Sequence, residues 1–255
     1  MTEPLRIAMW SGPRNISTAM MRAWENRGDC AVSDEPLYAH YLAHTGSDHP
    51  GRHEVIADGD TDWRRVTNAM TGAVPDGKPI WYQKQMTHHL LPHVDHGWIH
   101  GLANVFLIRD PAAVVASYVK TRASVTPDDI GVTQQLQLFD ELADRAGVAP
   151  PVIDAEEFLA SPEAHLRALC DLLGIAFTSR MLAWPAGPRA SDGVWAPYWY
   201  AAVLKSTGFE APPPRNALDA DCARVADACR PAYESMQRYR LRPAVGRTSD
   251  GGRGG

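Results

Sequence analysis

The chain has 255 residues, 45% of them hydrophobic and 22% charged, the balance of a soluble α/β domain with a sizeable core. Its 25 lysines and arginines fall short of its 30 aspartates and glutamates, and the formal net charge of −5 excludes bulk nucleic-acid binding. The four cysteines form no C-x-x-C pair and no apolar run approaches the roughly 20 residues of a membrane span, so reduced thiols, a cytoplasmic location and no leader peptide are expected.

Residues 6–10 read as a short apolar strand, which Ser11, Gly12 and Pro13 break. From Arg14 onward Ile16, Ala19, Met20, Ala23 and Trp24 recur at helical spacing. A strand that turns tightly into a helix leaves backbone N–H groups unpartnered at the positive end of the helix dipole. The turn is therefore a candidate anion site, in which Gly12 admits a ligand close to the backbone and Arg14, Ser17 and Thr18 add donors. A plain βα turn whose hydroxyls cap the helix is the alternative. The turn is not G-x-x-x-x-G-K-[S/T], since it has one glycine and no lysine.

A second strand, residues 30–33, ends in Asp34-Glu35-Pro36, which places two carboxylates on the functional edge of an open parallel sheet. Solvated loop acids would give the same pattern. Residues 38–79, rich in His, Asp, Gly and Thr with one helical stretch near 62–70, read as an insertion or lid. Nine of the ten histidines lie between His40 and His100. His89/His93 and His96/His100 have i, i+4 spacing, but Pro92 and Gly97 interrupt any helix there and no metal site is expected. Residues 80–84 form a third strand ending on Lys84, with His88 and His89 close behind.

Residues 103–108 are a nearly uninterrupted apolar run, typical of a strand buried on both faces. It ends in Arg109-Asp110-Pro111, and Pro111 opens a helix through Val114, Val115, Tyr118 and Val119, with Ser117 bordering its buried stripe. Arg109 can bond a phosphate bidentately, or simply pair with Asp110. An amphipathic helix over 128–146, a last strand over 151–154 and a helix from Pro162 to Gly174 follow. Residues 187–200 form an aromatic-rich loop, either a stacking or acceptor surface or a buried loop core. Packing helices over 218–239 should break near Pro231, and the Gly/Ser/Arg tail 246–255 should be disordered. Strands alternating with helices imply a doubly wound parallel sheet in one domain over 1–245.

Several of these segments resemble sulfotransferases that use 3′-phosphoadenosine 5′-phosphosulfate (PAPS). Ser11, Pro13, Arg14, Ser17 and Thr18 match the family's 5′-phosphosulfate loop, S-x-P-R-S-G-S-T, with Asn15 and Ile16 where Ser-Gly often stands. R-D-P-A-A-V-V-A-S-Y resembles the 3′-phosphate segment, in which Arg109 and Ser117 contact one phosphate. The 156–175 run resembles the helix after the last core strand, and Arg189, Gly193 and Trp195 match a late nucleotide-covering loop in outline.

The resemblance implies the P-loop-NTPase-like sulfotransferase fold and transfer of a sulfuryl group from PAPS to a hydroxyl or amine of a small-molecule acceptor. Neither nucleic acid nor membrane would be a partner, and no metal would be needed. Ser11, Gly12, Pro13, Arg14, Asn15, Ser17 and Thr18 would hold the 5′-phosphosulfate, and Arg109, Ser117 and Arg189 the 3′-phosphate, under a loop containing Gly193 and Trp195. Arg14 and Lys84 would offset charge on the bridging oxygen. The base would be Glu35, as in carbohydrate-type members, or His88, as in phenol and steroid enzymes. A P-loop kinase and a non-catalytic nucleotide-binding module are the rival readings.

Overall fold

Five strands form one parallel sheet in the computed structural model: β1 (Leu5–Ser11), β2 (Cys30–Asp34), β3 (Ile80–Met86), β4 (Ala103–Ile108) and β5 (Val152–Asp154), in the order β2-β3-β1-β4-β5. The structure describes residues 3–120, 122, 124–211 and 217–243, so the expected tail at 246–255 lies outside the described residues. The helices are α1 (Ser17–Asn26), α2 (Tyr38–Thr45), α3 (Arg52–Asp58), α4 (Trp63–Thr71), α5 (Pro111–Tyr118), α6 (Pro127–Ile130), α7 (Val132–Ala146), α8 (Ala155–Ala160), α9 (Pro162–Leu172), α10 (Ala196–Trp199) and α11 (Ala220–Gln237).

Strand alternation divides the core in two, as a doubly wound sheet requires. Ile7 and Met9 of β1, with Val105 and Leu107 of β4, pack on Met20 and Trp24 of α1 and on Leu166 and Leu169 of α9. Ala8, Trp10, Phe106 and Ile108 face the other way, onto α5, α7 and α11. The register pairs Lys84 of β3 with Asp34 of β2 and with Met9 of β1, and pairs Ser11 with both Met86 and Leu107. The C-terminal ends of β2, β3, β1 and β4 therefore share one edge of the sheet, where parallel α/β folds build their sites.

Three expectations change. The helix expected over 128–146 is two, because Gly131 at φ +70° closes α6 before α7 begins. α11 runs straight through Pro231, held by buried Ala226, Cys229, Ala232, Tyr233 and Met236. The 38–79 segment holds three helices rather than one. Its Tyr38, Ala39, Leu42 and Val55 join Trp195, Ala196 and Tyr200 in a small core of their own, so insertion and late loop pack together.

Candidate active site

The β1–α1 turn is built by its neighbours. A Cβ on Gly12 would lie 2.8 Å from the carbonyl oxygen of Ile130, so this glycine lets the end of α6 approach the turn. Ser11 is fully buried and its hydroxyl donates to the Gly12 carbonyl. The Asn15 side chain donates to the Leu107 carbonyl at 3.0 Å and accepts from the Ile16 N–H at 2.8 Å, which pins the turn to the end of β4. Arg14 takes a left-handed backbone, φ +54°, its carbonyl accepting from Arg109 Nη1 at 2.7 Å and its Nε donating to Ser117 Oγ at 3.1 Å. The β1–α1 turn and the Arg109–Ser117 segment are thus tied to each other.

These residues open onto a cleft of about 570 Å³. Pro13, Arg14, Asn15, Ser17 and Thr18 line it together with Arg109 and Ser117, and so do Glu35, Lys84 and His88. Burial depresses the Arg14 pKa, which favours an anionic partner there.

Lys84, 1% exposed, is a hub where the ends of β2 and β3 meet. Its ammonium donates to Asp34 Oδ1 at 2.9 Å, Glu35 Oε1 at 2.7 Å and Tyr200 Oη at 2.7 Å, which uses all three of its protons. The Tyr200 hydroxyl donates to Asp34 Oδ2 at 2.5 Å and accepts from Trp195 Nε1 at 3.1 Å, while the Gly193 N–H reaches the same Asp34 oxygen at 3.3 Å. Burial alone would lower the lysine's pKa, but Asp34 and Glu35 hold it well above its usual range. Glu35 is pushed upward, because burial and neighbouring Asp34 outweigh its share of the lysine's attraction. It too sits in the left-handed region, φ +44°, its N–H bonded to the Lys84 carbonyl.

An aromatic wall faces this hub. His89 stacks on Tyr38 with ring centroids 4.6 Å apart and on Tyr41 at 4.7 Å, and its Nδ1 lies 3.9 Å from Glu35 Oε2. Burial lowers His88 to about 4 and holds His89 well below its usual value, so both rings are neutral. His89, not His88, stands beside the carboxylate.

The late loop sits differently from its expected place over a nucleotide. Arg189 does not line the cleft: its Nε faces Glu25 at 3.9 Å and its Nη2 donates to the Pro185 carbonyl. Gly193 and Trp195 brace Asp34 and Tyr200 from behind. Sequence reasoning missed Tyr200, which pairs with a lysine 116 positions away, and the pairing role of Asp34. It also passed over the trio His40, His44 and His93, which the fold gathers outside the cleft although no single helix links them.

A parallel sheet with the Arg14 turn and a buried lysine–carboxylate hub on one edge places the chain among open α/β proteins whose sites lie at the C-terminal ends of the strands. The family model described as "Sulfotransferase domain" matches residues 5–240, and the chain belongs to that family. It is 36% identical over 206 residues to branched-chain-amino-acid aminotransferase-like protein 2 of Arabidopsis thaliana, covering 81% of this chain and 36% of that protein. The corresponding protein 1 is 37% identical over 213 residues, covering 83% and 38%. The chain thus spans well under half the length of these relatives. The sulfotransferase structure from Alicyclobacillus acidocaldarius superposes with a TM-score of 0.54 at 12% identity, over 94% of this chain and 98% of that one, a shared fold.

Proposed function

We propose that this chain transfers a sulfuryl group from PAPS to a hydroxyl or amine of a small-molecule acceptor and releases adenosine 3′,5′-bisphosphate. One observation carries the reading: the anion turn, the Arg109–Ser117 segment and the Glu35–Lys84 pair all open onto one cleft. The N–H groups at the start of α1 with Arg14, Ser17 and Thr18 hold the 5′-phosphosulfate, and Arg109 and Ser117 take the 3′-phosphate. Ser11, Gly12 and Asn15 shape the turn.

The acceptor's body lies against Tyr38, Tyr41 and Trp199, which favours an apolar or aromatic skeleton. Its oxygen or nitrogen attacks sulfur, the S–O bond to the 5′-phosphate breaks, and the acceptor proton passes to Glu35. Once protonated, Glu35 attracts Lys84 less, and the ammonium can turn one N–H toward the leaving oxygen. Lys84 therefore serves the departing charge only as the base is consumed, because its three protons are otherwise engaged.

Calorimetry tests this directly. Adenosine 3′,5′-bisphosphate should bind without Mg²⁺ and more tightly than 5′-AMP, each charge-assisted bond to the extra phosphate contributing ~1.5–3 kcal/mol. Equal affinities would remove Arg109 and Ser117 from the nucleotide site, and tighter, Mg²⁺-dependent binding of ADP would point to a kinase instead.

A further inference from the structure

His40 and His44 stand one turn apart on α2, the i, i+4 spacing that puts two imidazoles on one helix face. His93 comes to them from the turn that follows β3, where the Leu90, Leu91 and Val94 N–H groups are all spent in tight backbone bonds. One ring nitrogen from each of the three lies within 4.8 Å of the others. His40 Nε2 and His93 Nε2 are 3.0 Å apart. Two imidazole nitrogens on one tetrahedral Zn²⁺, each ~2.0–2.1 Å from it, stand roughly 3.3 Å apart, so the trio needs only a small adjustment.

The tautomers are arranged for ligation. His40 Nδ1 lies 2.8 Å from the Thr61 carbonyl and His44 Nδ1 lies 3.0 Å from the His40 carbonyl. A carbonyl only accepts, so each Nδ1 carries the proton and each Nε2 keeps its lone pair. Carbonyl-oriented imidazoles of this kind are the usual outer support of metal-bound histidines. His40 is buried and His44 and His93 are exposed, which leaves the ion a route from solvent.

We propose that His40, His44 and His93 bind one divalent transition-metal ion of the Zn²⁺ type. Three neutral nitrogens suit Zn²⁺, Ni²⁺, Co²⁺ or Cu²⁺ and do not suit Mg²⁺ or Ca²⁺, which demand oxygen. The fourth position falls to water or a solvent anion. On binding, the one proton that bridges His40 Nε2 and His93 Nε2 moves to His93 Nδ1, so each ring meets the ion as a neutral imidazole through a free lone pair. Its place in the fold gives it a structural consequence. It joins α2, which carries Tyr38 and Tyr41, to the segment after β3, which carries His88 and His89, so it clamps two sides of the aromatic wall.

Titrating the untagged full chain with Co²⁺, followed by visible absorption, tests the site independently of any transferase activity. One equivalent should saturate with d–d bands of four-coordinate intensity, Zn²⁺ should displace it, and Mg²⁺ should not. His44→Ala and His93→Ala, both at exposed positions, should each weaken binding at least ~10-fold while circular dichroism stays native. His96→Ala, which alters the neighbouring His96–Glu141 pair, should leave the titration unchanged. The site is overturned if no stoichiometric binding appears, if a His44→Ala/His93→Ala double variant binds as the parent does, or if His96→Ala removes the signal.

Discussion

Arg14 and Glu35 are two of the three non-glycine residues among those described that adopt positive φ, and both face the cleft. Such a conformation costs about 1–3 kcal/mol and persists only where its surroundings over-determine it. Here the Arg109 guanidinium holds the carbonyl of Arg14, and the Lys84 carbonyl holds the N–H of Glu35. The strain turns the Glu35 carboxylate out of β2's line and onto the end of β3. If Glu35 is the base, Glu35→Gln lowers turnover by ~10²–10⁴-fold and leaves bisphosphate affinity nearly unchanged, since other residues hold the nucleotide. The pH profile gives a second signature. Lys84, Asp34, Tyr200 and His89 face Glu35, and the balance of burial and charge raises its pKa. A base must be deprotonated, so the rate should fall as pH drops through a limb displaced above the ordinary carboxylate range of about 4.3. That limb should vanish in Glu35→Gln. A His88→Asn variant that loses turnover while Glu35→Gln keeps it would transfer the role to the histidine. Lys84 makes a separate prediction. Removing a buried cation that two carboxylates share leaves both unpaired, so Lys84→Met should cost about 3–5 kcal/mol in urea unfolding. A stability loss below 1 kcal/mol would mean that the hub is wetter than its burial indicates.

Among the elements, the β1–α1 turn and α6 are fitted to each other through Gly12. Because the Ile130 carbonyl oxygen would stand 2.8 Å from a new Cβ, and a backbone atom cannot swing aside as a side chain can, Gly12→Ala should destabilise the protein by ~1–3 kcal/mol. Denaturant unfolding measures this cost, and calorimetry with the bisphosphate separates it from ligand contact. An alanine variant of parental stability with much weaker nucleotide binding would restore the glycine to the ligand's side. The same turn shows what could be read in advance. A strand broken by Ser-Gly-Pro before a helical period is a local signal, as are charged residues at strand ends, so the sheet and the residues Arg14, Glu35, Lys84 and Arg109 were all legible. The α6–α7 break was not, because the apolar period carries across Gly131 and hides the one residue whose backbone turns left-handed. Of the helices in 38–79, α4 answers to the stretch expected near 62–70, whereas α2 and α3 stayed hidden; α3 buries only Val55, too few side chains to set a period. Tyr200 looked like any aromatic in a crowded loop. Only the packing of α10 onto α2 and α3 reveals that its hydroxyl closes the lysine hub from the far end of the chain.

At the scale of the whole molecule, the histidine-rich segment makes stability depend on pH in a direction that can be stated. Burial lowers His49 and His88 to about 4, and lowers His40 and His89 as well. In the unfolded chain each would titrate near 6.5. A group whose folded pKa is depressed in this way stays neutral in the native state while the unfolded chain takes up the proton. The native advantage is complete above about pH 6.5 and is lost as pH falls toward 4, with a slope approaching ~1.4 kcal/mol per pH unit for each histidine. Glu35 works in the opposite sense, because its raised native pKa makes the folded state the better proton acceptor on acidification. A loss of stability between pH 6.5 and 4 is therefore not its doing. Unfolding free energies measured across that range, with chelator present so that His40, His44 and His93 add no metal-linked contribution, should decline steeply in the parent. The decline should flatten in a His49→Gln/His88→Gln double variant, in which two proton-binding sites are gone from the unfolded state. If the double variant keeps the parent's slope, the acid sensitivity does not come from His49 and His88 and falls to the other two depressed rings, His40 and His89.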